Sequence, residues 1–248
     1  MENTPGADDI YDTEFIKSVF DKCSSKYIWF SYICSFGFTE RWRKQCVSKL
    51  KGLPENAMGY DLMAGTGEAW PHLLKHHPTI EKITAIDLSS GMHKYAMSRL
   101  HNMRAHKIDF IEDDIFNSAL PDESADFIVS TFGLKTFSAD DHKHLAALVA
   151  TKLKPGGQFS FVEASDPKGW MLRPIYNFHM KRVLPIVEKL FLSGAQDFTM
   201  IGQYTDKFQN ASGFAKAMRD EGLNVNFHKF MFGCATGVSG SRGAKSPV

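Results

Sequence analysis

Asp61-Leu62-Met63-Ala64-Gly65-Thr66-Gly67, followed downstream by Thr84-Ala85-Ile86-Asp87, decides how this chain folds. Met58 to Met63 read as an apolar strand that breaks into a glycine turn. Gly65 and Gly67 let the backbone bend tightly and come close to a ligand. Glu68 to His76 then read as a helix whose positive N-terminal end faces that ligand. Ile83 to Ile86 form a second apolar strand, which ends on the carboxylate of Asp87. An acid at the tip of strand two, beside a glycine turn after strand one, is how an open α/β sheet grips ribose hydroxyls. The pattern therefore implies a nucleoside-containing cofactor.

The residues around the turn narrow the choice. A dinucleotide fingerprint needs a third glycine three residues after the second, and Trp70 stands there. An indole hinders the close helix-to-sheet contact that a pyrophosphate site uses. No GK[ST] sequence follows, which excludes the phosphate loop of ATPases. A glycine turn without phosphate-binding chemistry suits a cofactor with a ribose and no phosphate, and S-adenosylmethionine fits that description.

Further strands continue the pattern. Ile108 to Ile111 is apolar and runs into Glu112-Asp113-Asp114-Ile115, where an acid followed by an apolar residue suits an adenine edge. Ala125 to Thr131 is a fourth strand, Leu153 to Gly157 a helix stop and turn, and Gln158 to Glu163 a fifth strand. Alternating strands and helices imply an α/β fold with a parallel sheet covered on both faces. Tyr11 to Lys22 and Thr39 to Leu50 read as two helices flanking an aromatic stretch, Tyr27 to Phe38. That stretch is too short to span a bilayer, which takes ~20 apolar residues. It reads as a buried or lid segment in preference to one in contact with a membrane interface. Trp170 to Phe191 reads as a long apolar-faced insertion interrupted by Pro185, and Phe208 to Glu221 as a helix stopping at Gly222. Asn224 to Lys229 and Phe230 to Thr236 read as closing strands, and Val238 to Val248 as a frayed tail. The expected organisation is a helical cap over 1–50, a cofactor-binding core over 51–165, an acceptor-pocket insertion over 166–207, and a closing helix and strands over 208–248, all in one domain.

Composition excludes more than it selects. With 29 basic and 28 acidic residues, nothing favours nucleic acid or an anionic membrane surface. Twenty phenylalanines and eleven methionines suit an apolar pocket and an ordinary core equally well. Cys23, Cys34, Cys46 and Cys234 show no CxxC spacing, so reduced thiols in a cytoplasmic protein are the simplest reading. His72 and His76 lie four apart on one helix, but no third ligand accompanies them and no metal is expected.

Together these stretches resemble the class I S-adenosylmethionine-dependent methyltransferases, and within them the ubiquinone/menaquinone C-methyltransferase family. The likeness runs from about Val19 to Val238. It is carried by Arg41-Trp42-Arg43-Lys44, the Ala64 to Gly67 turn, Ser90-Gly91-Met92, Phe132-Gly133-Leu134, Leu153 to Gly157, and Tyr176 with Val183-Leu184-Pro185. The resemblance implies a Rossmann-like, mostly parallel seven-stranded sheet with an antiparallel last strand. It also implies that Asp61, Ala64, Gly65, Thr66 and Gly67 line the methionine portion of the cofactor and that Asp87 takes the ribose. Met92 would pack on the adenine, Asp114 and Ile115 would read its edge, and Ser130 would lie near the methyl donor. Tyr27 matches a family tyrosine near the cofactor carboxylate.

The implied reaction is methyl transfer to a small lipophilic acceptor, aromatic or quinol-like, with carbon the preferred atom. Oxygen or nitrogen methylation, or a cofactor-binding member that acts as a cyclase or regulatory partner, are the alternatives. Carbon methylation of a phenol needs a base, and His179, Tyr176 and Lys135 are the leading candidates. His179 lies one helical turn from Tyr176, so both can face the same way. Lys135 would act as a cation that lowers the acceptor's phenolic pKa. A homodimer is compatible with the sequence. The chain departs from the family where Lys135-Thr136 replaces Arg-Asn, an exchange that loses a planar fork of donors. Ile28 replaces an acid, His179 a tyrosine, and Met63 a small residue.

Overall fold

The computed structural model describes residues 9–103, 107–183, 186 and 198–244. Its strands are β1 (Met58–Leu62), β2 (Lys82–Asp87), β3 (Ile108–Glu112), β4 (Ala125–Thr131), β5 (Leu153–Ala164), β6 (Asn224–Phe230) and β7 (Ala235–Ser241). They form one sheet in the order β3-β2-β1-β4-β5-β7-β6. The first five run parallel, and β7 inserts antiparallel between β5 and β6. The expected α/β architecture is the one observed.

Side-chain alternation explains why both faces are covered. Phe127 and Val129 of β4 point into one core, with Trp70, Leu73 and Ile83. Ile128, between them, points into the other, with Leu62, Phe159, Phe161 and Phe214. A parallel strand buried on both sides reads as a continuous apolar run for this reason. The helices are α1 (Thr13–Cys34), α2 (Phe38–Val47), α3 (Trp70–His76), α4 (Ser90–Met103), α5 (Ala139–Lys152), α6 (Arg173–Phe178), α7 (Phe198–Phe208) and α8 (Ser212–Asp220). Ser138 and Asp141 close a reciprocal capping box at the start of α5.

Several boundaries differ from the sequence reading. The first helix does not stop at Lys22: α1 runs unbroken to Cys34, with Asp12 as its N-cap. The aromatic stretch is therefore largely helical, and Tyr32 and Phe36 are exposed rather than buried. The helix after the glycine turn starts at Trp70, with Pro71 in its first turn. Leu153 pairs with Ala125, and the Lys154 to Gly157 turn is a register irregularity inside β5. The helix expected over Phe208 to Glu221 is split by Gln209, which takes a left-handed φ of 58°. Val238 lies in the middle of β7 and pairs with Phe161, so the frayed tail is not found there. Of the Trp170 to Phe191 insertion, α6 and a π-helical turn at His179–Val183 are described, while 184–185 and 187–191 lie outside the described residues.

α1 is held against the start of α4 by one carboxylate. Asp21 Oδ1 accepts from Ser89 Oγ (2.6 Å) and from the Gly91 N–H (2.8 Å), and Oδ2 from Lys17 Nζ (2.9 Å). Burial would raise the Asp21 pKa, but the bonds from Ser89, Gly91 and Lys17 hold it down to about 2. A Cβ at Gly91 would lie 2.7 Å from Ser24 Oγ and 2.9 Å from the Asp21 backbone. Gly91→Ala should therefore push α1 outward and cost about 1–3 kcal/mol. A thermal melt would show this as a lowered midpoint, and an unchanged midpoint would contradict the close approach.

Candidate active site

The glycine turn is built from the ends of two strands. The Ala64 N–H donates to the Ile86 carbonyl (3.0 Å), carrying the β1–β2 pairing one step beyond β1. The chain then turns through left-handed backbone at Gly65 (φ 56°) and Gly67 (φ 73°). Asp87 fixes this turn: its Oδ2 accepts from the Gly65 N–H (2.7 Å) and its Oδ1 from the Ser89 N–H (2.9 Å). Burial, with Asp21 and Glu112 nearby, raises the Asp87 pKa against these two donors.

Trp70 has a structural task in place of the missing third glycine. Its ring is fully buried, and a Cβ at Gly67 would lie 2.3 Å from it. The indole thus fills the space under the turn, and Nε1–H donates to Asp61 Oδ2 (2.8 Å). Met63 departs from the family's small residue and sits at φ 52°, against Gly133, where a Cβ would lie 2.5 Å from the Met63 Cβ. Three buried oxygens beside the turn have no partner: Asp61 Oδ1, Thr66 Oγ1 and Ser130 Oγ. Burial pushes the Asp61 pKa up to about 7, opposed by the Trp70 hydrogen bond and reinforced by Asp87.

A cleft of about 1030 Å³, counted to its solvent mouth, opens at the carboxyl ends of β1 to β4 and beneath α1. This is where β2 and β4 leave β1 on opposite sides, the usual ligand position in an open α/β sheet. Of the residues expected at the cofactor, Tyr27, Ala64, Gly65, Asp87, Met92, Asp114 and Ile115 lie on its wall. Asp61, Thr66, Gly67 and Ser130 do not. They stand behind the turn, where the unpartnered oxygens are. Asp114 Oδ1 accepts from the Phe116 N–H (3.0 Å), closing the loop after β3.

The three expected catalytic side chains are not brought together on this wall. Lys135 is buried off this wall, with Nζ 2.7 Å from Glu163 Oε1 of β5. Tyr176 donates to the Ser165 carbonyl (3.3 Å), and burial raises its pKa. His179 begins the π-helical turn, with its ring 4.9 Å from that of Phe36. His72 bonds Glu40 (2.7 Å), and among the described residues no group of His, Cys, Asp and Glu is placed to hold a metal.

Wall residues that sequence reasoning missed include Ile16, Lys17 and Phe20 of α1. Their spacing with Tyr27 marks one helix face, a signal hidden by ending the helix at Lys22. Glu68 was missed as well. It lies on the wall with Arg43 Nη2 2.8 Å behind it, and the Arg43 guanidinium sits 5.0 Å over the Phe132 ring.

The wall carries five carboxylates, Glu68, Asp87, Asp113, Asp114 and Asp141, and among lysine and arginine only Lys17, which Asp21 already pairs. Such a surface favours a cation and opposes a pyrophosphate. S-adenosylmethionine brings a sulfonium and an ammonium, a ribose diol and a flat adenine, and no phosphate. Open space at Gly65, the Asp87 carboxylate and the apolar Met92 and Ile115 fit those groups. The fold and this cleft define a class I S-adenosylmethionine-dependent methyltransferase.

Comparison with known proteins agrees. Residues 8–242 match the ubiE/COQ5 methyltransferase family, and the chain belongs to it. Demethylmenaquinone methyltransferase of Lactiplantibacillus plantarum is 25% identical over 232 residues, covering 93% of this chain and 97% of that protein. Its namesake from Listeria welshimeri is 25% identical over 214 residues, 85% of this chain and 88% of that protein. Among solved structures, Haemonchus contortus phosphoethanolamine N-methyltransferase 2 superposes with a TM-score of 0.66 at 12% identity. That superposition covers 97% of this chain and 61% of the other, and it speaks to the fold.

Asp61 gives this site a pH signature. Its folded pKa of about 7 lies above the ordinary carboxylate value of about 4. As pH rises between these values the unfolded chain gives up the proton first, so folded stability is lost across that window. Asp61→Asn still accepts from Trp70 without carrying charge. It should melt higher than the wild type at pH 8 and gain far less at pH 4, by on the order of 2–4 °C per kcal/mol recovered. A difference in midpoint that is the same at both pH values would contradict the buried, reluctant carboxylate.

Proposed function

We propose that this enzyme transfers a methyl group to a ring carbon of a lipophilic, quinol-like aromatic acceptor. The observation that carries the reading is the aromatic wall continuing beyond the glycine turn, with Phe20, Tyr27, Phe132 and Phe137 on it. A flat apolar ring is held there by stacking and by burial of its area. The names of the curated relatives support a quinone-like acceptor. Lys135 stands where the resembled family carries arginine, and here it pairs with Glu163 away from the cleft wall.

In this reading Asp87 takes the ribose hydroxyls. Met92 and Ile115 flank the adenine, and Asp114 accepts from its amino group. Gly65 and Tyr27 attend the methionine end, with Asp61 behind the turn. S-adenosylmethionine supplies the activated methyl group when bound. The protein's part is to orient the acceptor ring and keep water out, which by itself is worth many orders of magnitude in such displacements. Burial and the nearby Glu68 raise the Tyr27 pKa, so its hydroxyl stays protonated and available as a donor.

The test is a methyl-transfer assay over a panel of prenylated quinols, simple phenols and amines. Labelling of a quinol ring carbon is expected, while transfer confined to oxygen or nitrogen would overturn the reading. Asp87→Ala should weaken binding of S-adenosylhomocysteine by about 10- to 100-fold, the worth of charged hydrogen bonds. His179→Ala, off the wall, should keep kcat within about threefold, whereas loss of a general base costs about 10²–10⁴-fold. A His179→Ala loss of that size would return the histidine to the chemistry.

A further inference from the structure

We propose that Glu68, anchored by Arg43 of α2, holds the α-ammonium group of the bound cofactor's methionine portion. Glu68 follows Gly67 directly and lies on the cleft wall, its side chain 13% exposed. Its Oε2 accepts from Arg43 Nη2 (2.8 Å), and among the described residues Oε1 takes no hydrogen bond. One carboxylate oxygen is thus tied to the protein and the other is left for an outside donor. A carboxylate this far out of water gains most from a charged donor. The sheet order β3-β2-β1 sets the direction of the ligand. With adenine beyond β3 and ribose at the tip of β2, the methionine end lies over the turn after β1, where Glu68 stands. The other wall carboxylates are placed and occupied elsewhere. Asp87 receives two backbone N–H groups at the end of β2. Asp113 accepts from the Asp114 N–H and Asp114 from that of Phe116, both in the loop after β3. Asp141 accepts from the Ser138 hydroxyl and N–H at the cap of α5.

The surroundings suit an amino-acid zwitterion. Arg43 Nη1 also lies 3.6 Å from Glu40 Oε2, so two carboxylates share one guanidinium. His72 bonds the other Glu40 oxygen, and with its imidazole neutral the cluster keeps a net negative charge. The Arg43 side chain is only 4% exposed, and its guanidinium lies 5.0 Å over the Phe132 ring. Glu68 is therefore set in place before a ligand arrives, which lowers the cost of ordering it. Tyr27 supplies the complementary group on the same wall, a hydroxyl kept protonated by burial and by the charge of Glu68. An acceptor for an ammonium and a donor for a carboxylate thus stand at one end of the cleft. Arg43 is a positioning residue: it holds Glu68 on one side and covers a ring of the aromatic wall on the other.

The inference rests on S-adenosylmethionine as cofactor, and wild-type binding of S-adenosylhomocysteine checks that separately. Calorimetric titration of the full chain uses two probes. One is S-adenosylhomocysteine; the other is its desamino analogue, with hydrogen in place of the ammonium and the carboxylate kept. The wild type should bind the analogue about 10- to 100-fold more weakly, the worth of a charged hydrogen bond. Glu68→Gln keeps an oxygen for Arg43 and removes the charge. It should weaken S-adenosylhomocysteine by about tenfold or more and leave the analogue within about threefold of the wild type. Glu68→Asp, with the charge on a shorter stem, should fall between for the first probe and again spare the second. An Arg43–Glu68 pair that only holds the fold predicts equal losses for both probes and a lowered melting midpoint. That result in either variant overturns the proposal. So does a wild type that binds the two probes equally, or a pair of variants that keep the full preference for the amino group. A wild type that binds neither probe overturns the cofactor assignment itself, and the proposal with it.

Discussion

The Asp87 carboxylate, receiving the Gly65 N–H on one oxygen and the Ser89 N–H on the other, is the constraint on which the site depends. It joins the turn after β1 to the start of α4, and α4 in turn receives α1 through Asp21. One acid thus sets the cleft floor and, at one remove, the position of its roof. Asp87 itself lies on the cleft wall. Beneath the turn, Trp70 keeps the spacing from below while its N–H restrains Asp61. Replacing a glycine by an indole gives up pyrophosphate binding and gains a packed support for a turn that needs none.

Electrostatics then decide what the cleft accepts. Five carboxylates on the wall, one of them backed by Arg43, make a surface that attracts positive charge and repels phosphate. Asp61, buried and half-partnered with a pKa near 7, adds a group that becomes fully anionic only when a cation or higher pH favours it. Catalysis of methyl transfer asks the protein for position and dryness, which a sheet edge under a long helix provides.

The fold was legible because its signals are local. Glycine turns, a strand ending in Asp87 and apolar runs buried on both faces need no tertiary context to be read. The cofactor wall followed from the same signals, and seven of the eleven residues expected at the cofactor lie on it. What was hidden depended on partners distant in sequence. The length of α1 could not be read from an aromatic stretch without knowing that one side faces a cleft and the other solvent. Lys135 looked like a free cation until Glu163, 28 residues away, was seen to take its charge. The split at Gln209 and the true extent of β7 are tertiary outcomes of the same kind. Charge totals misled in another way, because a sum near zero says nothing about where the signs lie.

Calorimetric titration of the full chain with S-adenosylmethionine and, separately, with NAD tests the central claim most directly. A cleft built for a phosphate-free, cationic nucleoside should give saturable heat with the first, at a dissociation constant on the order of micromolar, about −8 kcal/mol, and none with the second. Binding of NAD as tight as that of S-adenosylmethionine would contradict it.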